Sequence, residues 1–595
     1  MTSKDSGRST PARPVSELFS DPRLREKLGV EEIELSSTPP EVPRRRTRGR
    51  DPATRLEDGK LIAVWFGLWA LLALATLFGR SAWPTDETRF LAVAWEMWVR
   101  GDFLLPTVNE QLYSQAPLVP WLIHLGWAVF GVVEWWARLV PLSASLLSLV
   151  LTWRIALLLW PNHGEVARFA PLVLLGTVSW SAFAGLASAH HWLVATVLFA
   201  VWSILTIWRR RDHRAWLLLA LATGLGLLTQ GWVFALYVYP VALLIPLWAR
   251  EGRRPEWGYW YLDIAKSLII GALPLALWLL AIGWRAGWTS VYELTLRAPP
   301  LLPLDILPIR PEPWWYAVWL PIVFLPWSVW PIVWLRHWQL RRAALNAGLL
   351  FCLVWVLASV AGLAAIPGAQ AQWLAPLLPA GALVVSFLAL DEELRGADEN
   401  RLLAAMTMPV VLLGAAVIIA PKLPQPEWAP DFVWSISPLV GFGIMVVGVA
   451  LAWLPVRETR RRVSDMAIVG TLFVVLAVLG LGVEFDRQWS VTGTAQYLSG
   501  VERAGRPIAQ IGDYHGEYHF AGRLTRPIAV LSAARANQWA ENYPNGVIIA
   551  DETIWRPQAR TAVALHKAQR HEPQLVVWDA RSLLAVAIDV NPETP

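Results

Sequence analysis

About thirteen apolar runs of roughly twenty residues each, separated by short polar stretches, decide most of what this chain can become. A helix rises about 1.5 Å per residue, so a run of about twenty residues can cross the ~30 Å hydrocarbon layer with its backbone polar groups satisfied internally. The runs read at Leu61–Leu77, Trp135–Trp160, Ala167–Ala187, Trp192–Trp208, Ala215–Leu228, Trp232–Trp248, Leu262–Trp284 and Trp314–Leu335. Five more follow at Leu345–Ile366, Trp373–Leu390, Leu402–Ala420, Val433–Leu454 and Met466–Val483. Pro117–Val133 reads as a juxtamembrane helix, because Pro117, Pro120 and His124 suit an interface better than a hydrocarbon core.

Composition agrees. Only 16% of the 595 residues are charged and 55% are hydrophobic, where a soluble chain carries about 25% charged residues. The 39 Trp suit the membrane interface. A lone cysteine, Cys352, rules out an internal disulfide framework.

The net charge of +5 is small for this length, and its distribution tells more. Residues 1–60 lack any apolar run and read as a disordered cytoplasmic tail. Its Arg44–Arg50 cluster either touches anionic headgroups or serves as a solvated topogenic charge. With that tail inside, the clusters at Arg209–Arg214, Arg250–Lys266, Arg336–Arg342 and Arg457–Arg462 all fall on the cytoplasmic side. That is the positive-inside pattern, so the arginines report topology rather than nucleic-acid binding. The expected organisation is a transmembrane domain over 61–484, with outer loops 81–134 and 285–313, followed by an extracytoplasmic domain over 485–595. In that last part β-like runs (Pro507–Ile511, Pro527–Leu531, Gly546–Ala550, Gln574–Trp578) alternate with helical stretches at Ala495–Ala504 and Ser532–Asn542, which reads as a small α/β fold. His515, Glu517 and His519 alternate as they would on one strand face, either as a metal or acceptor contact or as a solvated edge.

The first outer loop holds the polar chemistry. Thr85 is a candidate N-cap, Asp86 and Glu87 fall in a first turn, and Gly101 sits where a helix over Asp86–Arg100 would stop. That helix is too short to span but long enough to lie in the interface. Neighbouring residues on a helix diverge by about 100°, so Asp86 and Glu87 do not share a direction. Acids in a first turn are also stabilised by the helix dipole without any catalytic duty.

Asp86-Glu87-Thr88-Arg89, Gly101-Asp102-Phe103-Leu104-Leu105-Pro106 and Tyr113-Ser114-Gln115-Ala116-Pro117 resemble, in order, motifs of the polytopic GT-C fold glycosyltransferases that use polyprenyl-phosphate sugars. The aminoarabinose-transferase and protein-mannosyltransferase branch is the most similar. Pro313-Trp314-Trp315-Tyr316 with Leu325-Pro326-Trp327-Ser328, and Gly512-Asp513-Tyr514-His515-Gly516-Glu517-Tyr518, extend the resemblance over about residues 60 to 595. It departs at the two lysines, which are Ala116 and Gln230 here, at the acid of the outer turn, which is His191, and at a Glu-His pair, which is Glu293-Leu294. An acid before the first lysine is Gln115. On that pattern no divalent metal and no other cofactor is expected.

The resemblance implies transfer of a sugar from a polyprenyl-phosphate donor to an extracytoplasmic lipid headgroup, glycan or protein, with inversion. The leaving phosphate is already a stable anion, so the chemistry needs an acceptor base and cations rather than a general acid. Asp86 is the first candidate base and Glu87 the second. Arg89, Arg138, Arg297 and Arg310 are the candidate cations in place of the missing lysines, and each also reads as an ordinary interfacial arginine. Tyr113, His191, Gln230 and Glu293 stand at motif positions that imply substrate contact. Partners are then the lipid donor, the acceptor and the bilayer, with no nucleic acid. The expected location is the inner (plasma) membrane, multi-pass, with the N-terminus cytoplasmic. Loss of both lysines leaves open a degenerate relative that binds polyprenyl lipid or partners another transferase. A transporter would place charges or broken helices in mid-membrane, and few charges lie within the runs.

Overall fold

The computed structural model describes residues 52–83, 86–186, 188–250, 256–296, 314–330, 346–364, 371–390, 459–551, 563–567 and 575–584, with scattered positions between 411 and 450 and at 555 and 557. Residues 1–58 and 59–595 form separate units, and the second holds everything below. Among the described residues seven helices are long and apolar enough to cross a membrane: Gly59–Phe78, Glu134–Leu159, His190–Arg210, Trp257–Ala286, Ala347–Ala364, Gln372–Leu390 and Arg460–Gly480. An eighth span is broken. Gly164–Leu175 and Val178–Ala184 meet at 66°, where Thr177 is extended and Val178 N–H donates to Leu325 O at 3.0 Å. Leu118–Phe130, Ala215–Gln230 and Val233–Leu243 are shorter apolar helices. The runs read at Leu402–Ala420 and Val433–Leu454 lie largely outside the described residues.

Burial separates core from lipid face. The spans near the centre, His190–Arg210 and Gln372–Leu390, are 83% and 89% buried, whereas Trp257–Ala286 is 33% buried and presents Ile269, Leu273, Leu277, Leu280 and Trp284 outward. An apolar surface of that extent requires a hydrocarbon solvent. The protein is a multi-pass membrane protein.

Helix ends sort onto two sides. Arg209 Nε donates to Leu158 O at 3.1 Å, Arg460 pairs with Glu165 at 2.7 Å and Trp260 Nε1 donates to Ala242 O at 3.1 Å. These contacts join the ends near 159, 165, 209, 245, 260 and 460. The opposite ends, near 80, 134, 185, 285 and 486, meet the outer loop and the C-terminal domain.

That domain contains a five-stranded mixed sheet in the order β4-β3-β5-β7-β6, where β3 is Ile508–Ile511, β4 Ala529–Leu531, β5 Val547–Asp551, β6 Ala564–Lys567 and β7 Leu575–Asp579. β3 runs parallel to β4 and β5, with Ile508 opposite Val547, and β7 is antiparallel to β5 and β6. Buried Ala495, Leu498 and Val501 of helix Thr492–Arg503 cover one face, and Ala536, Trp539 and Ala540 cover the other. Strand β6 carries no strong alternating pattern and was not anticipated from sequence. The strand face expected for His515, Glu517 and His519 does not form: residues 513–518 are irregular, and His519 opens the short helix His519–Gly522. Gly512 and Gly516, at φ 94° and 87°, turn the chain out of the sheet there.

Candidate active site at the outer loop

The helix Asp86–Arg100 forms over the expected residues. It stops at Gly101, whose φ of 62° suits a glycine, with Gly101 N–H bonded to Trp98 O and Asp102 N–H to Met97 O. It is apolar nearly all round because protein covers it, rather than because it lies in the membrane interface. Phe90, Leu91 and Ala94 pack against Ile123 and Trp127, Val93 and Met97 against Val108, and Trp95 Nε1 donates to Leu524 O at 2.7 Å. Strands β1 (Thr107–Val108) and β2 (Gln111–Leu112) form a hairpin beside it. At the tip Asn109 and Glu110 have φ of 54° and 65°. Asn109 exchanges two bonds with the Ile528 backbone, 2.9 and 2.7 Å. Glu96 Oε1 accepts from Thr107 Oγ1 at 2.8 Å and from Glu110 N–H at 2.9 Å. Trp127 stacks on Phe520 at 5.6 Å. The outer loop and the C-terminal domain are thus packed together.

At the base of the helix lies a buried charge network. Arg80, Glu87 and Arg138 are 7%, 1% and 4% exposed. Arg80 Nη2 donates to Glu87 Oε1 at 2.8 Å, Nη1 bonds Glu87 Oε2, and Nη2 also reaches Gly185 O. Trp83 N–H donates to Glu87 Oε2 at 2.7 Å. Burial pushes the Glu87 carboxyl up, but the Arg80 guanidinium, with Arg138 and the Trp83 N–H, outweighs it and holds the group below its ordinary value of 4.5. Arg138 Nη1 donates to Arg80 O at 2.8 Å and Leu77 O at 3.3 Å, and lies 3.5 Å from Glu134. Its Nε and Nη2 are buried without a hydrogen-bond partner.

Asp86 is the first residue of its helix, and its side chain lies outside the described residues, as do Arg297 and Arg310. Arg89 lies over the Tyr113 ring, 5.8 Å from its centre, with Nε buried and unpartnered. Gln230 ends its helix, half-buried, before Gly231 at φ 56°. Glu293 is half-buried in Trp288–Leu296, which is tied to the loop by Ser114 Oγ donating to Leu294 O at 3.0 Å. Ala116, Leu227, Leu228 and Leu294 share one apolar cluster, so the Ala116 position, the end of the Gln230 helix and the Glu293 helix do come together. His190 and His191 are not an exposed turn. They open the span His190–Arg210, all four of their ring nitrogens are buried without a partner, and His191 stands edge-on to Trp180 at 5.1 Å. Among the described residues no three His, Cys, Asp or Glu side chains form a metal-sized group.

Sequence reasoning missed Arg80 and Asp486. Arg80 sits at the mouth of the first span and could have been noticed as the nearest cation to the loop acids. Asp486 lies some four hundred positions away, and nothing local signals it.

Residues 114–283 match the family described as dolichyl-phosphate-mannose-protein mannosyltransferase. The undecaprenyl phosphate-α-4-amino-4-deoxy-L-arabinose arabinosyl transferase of Pseudomonas aeruginosa is 29% identical over 387 residues, 64% of this chain and 68% of that one. The protein of that name from Photorhabdus laumondii is 25% identical over 405 residues, 64% and 69% of the two chains. The apo crystal structure of ArnT from Cupriavidus metallidurans superposes with a TM-score of 0.71 at 17% identity, covering 91% of this chain and all of that one. Its complex with undecaprenyl phosphate gives 0.69 at 17% identity over 89% and 99%. This chain is therefore a multi-pass membrane protein with the GT-C fold, similar in sequence to aminoarabinosyl and protein mannosyl transferases.

Proposed function

We propose that the protein is an integral-membrane glycosyltransferase that moves a sugar from a polyprenyl-phosphate carrier to an extracytoplasmic acceptor. The observation that carries this reading is Arg138. Its Nε and Nη2 are buried and unpartnered at the root of the outer loop, and an uncompensated buried guanidinium donor is costly to maintain. A phosphate oxygen pair satisfies those two nitrogens in one bidentate contact. Arg89, with its own buried unpartnered Nε, supplies a second charge. Both hold the donor phosphate in the ground state and keep that hold as negative charge grows on it when the anomeric bond breaks.

In this scheme Asp86 removes the proton of the acceptor hydroxyl or phosphate, the acceptor oxygen attacks the anomeric carbon, and the carbon–phosphate oxygen bond breaks with inversion. Glu87 takes no part in proton transfer, since Arg80 and Trp83 hold its two oxygens. It fixes the turn in which Asp86 lies. Tyr113, His191, Gln230 and Glu293, with Arg297 and Arg310, complete the donor and acceptor contacts. The named activity of the relatives makes an undecaprenyl-phosphate amino sugar the first donor to try. The N-terminus and the Arg-rich helix ends are cytoplasmic, following the positive-inside rule, and the loop and C-terminal domain face outward. Residues 1–60, 61–484 and 485–595 serve as tail, membrane domain and outer platform.

Ala116 and Gln230, which stand where the resembling motifs carry lysines, favour a second reading, a lipid-binding protein without turnover. Purified protein in nanodiscs, supplied with radiolabelled polyprenyl-phosphate sugar and lipid acceptors, separates the two. Release of polyprenyl phosphate supports transfer, and saturable donor binding without release supports the second.

A further inference from the structure

We propose that Asp486 is a positioning residue for the outer loop, holding the turn that carries Asp86 in register from the far end of the chain; this rests on the transfer reading above. Asp486 lies near the end of the helix Thr459–Trp489 that leads into the C-terminal domain. Its carboxylate accepts Ser81 N–H at 3.0 Å on Oδ1 and 2.9 Å on Oδ2, and Ser81 Oγ–H at 2.6 Å on Oδ1. Three bonds on one serine fix both its backbone and its rotamer. Six residues later the chain is fixed again, by Glu87 accepting from Trp83 N–H and Arg80. Thr88 N–H adds a bond to Trp83 O at 3.2 Å.

Ser81 is therefore pinned by Asp486 and Trp83 by Glu87, and Asp86 lies just beyond these two in sequence, beside the second pin. The pins differ in kind. Glu87 neutralises a buried cation, so its loss affects folding. Asp486 is half-buried and accepts from the amide and hydroxyl of Ser81; its charge also acts on Arg138, but the larger attractions there are those of Glu87 and Glu134, so its loss frees the turn and leaves the buried cation its main partners. A displacement of about 1 Å at a reacting group costs on the order of 100-fold in rate, and little in substrate affinity when the binding groups lie elsewhere.

The test compares Asp486→Asn, Ser81→Ala and the double variant in full-length protein in nanodiscs. Donor turnover is read as kcat and KM, and deuterium uptake of the 81–88 peptide is read beside it. Asp486→Asn is expected to lower kcat roughly 10- to 100-fold with donor KM unchanged within about twofold, and to raise uptake in 81–88 with no change in melting temperature. Ser81→Ala falls between, and the double variant is no worse than Asp486→Asn. Wild-type kcat in Asp486→Asn overturns the proposal, as does a loss that appears only as lower melting temperature or yield. If the wild-type protein consumes no donor, the transfer reading fails separately. Peptide uptake then decides, and unchanged protection of 81–88 in Asp486→Asn removes the pin.

Discussion

Arg80 and Glu87 form a buried ion pair across the turn between the first span and the outer loop, with Nη2 2.8 Å from Oε1 and neither side chain more than 3% exposed. The pair holds the loop helix against the mouth of the bundle, while the proton-transfer role proposed above falls to Asp86, one position earlier.

Breaking the pair tests that division of labour. Glu87→Gln is expected to destabilise the protein by about 3–5 kcal/mol, because Arg80 stays buried with less compensation. The sign with pH follows from the depressed carboxyl. The contribution is full above the unfolded value, ordinarily 4.5, and is lost as pH falls through the lower folded value. Thermal unfolding in detergent between pH 7 and 3 should therefore show an acid limb that is shallower in Glu87→Gln.

Arg138→Lys keeps a positive charge and loses the two-pronged donor geometry. It should raise the KM for the polyprenyl-phosphate donor roughly 10- to 100-fold, the equivalent of one charged hydrogen bond, with a smaller effect on kcat. Steady-state kinetics at saturating acceptor measure both. An unchanged donor KM would remove Arg138 from the phosphate site.

Orientation is checked by single-cysteine labelling in a Cys352→Ala background, since Cys352 is buried. Arg210→Cys, at the end of His190–Arg210, should react with a membrane-impermeant maleimide only from the cytoplasmic face. Arg526→Cys, exposed on the C-terminal domain, should react only from outside. Labelling of both from one face contradicts the alternation of helix ends.

Much of this architecture is legible without coordinates, because hydrocarbon length and arginine bias act on contiguous residues. The helix Asp86–Arg100 and strands β3, β4, β5 and β7 lie within a residue or two of where turn chemistry and apolar runs put them. Partners distant in sequence were not legible. The apolar girdle of Asp86–Arg100 reads equally as membrane-facing or protein-covered, and Val108, Ile123 and Trp127 of the same loop with Phe520 and Leu524 of the C-terminal domain decide it. His191 looks like a turn residue until Trp180 is placed against it. Arg80 with Glu87, and Ser81 with Asp486, need the fold before they can be paired at all.

The most direct measurement of the central claim is donor consumption by Asp86→Asn in nanodiscs, read as release of polyprenyl phosphate from a radiolabelled sugar donor. The account predicts a loss in kcat of roughly 100- to 10,000-fold, the span of general-base catalysis, with donor binding retained. Turnover at the wild-type rate in Asp86→Asn would contradict it.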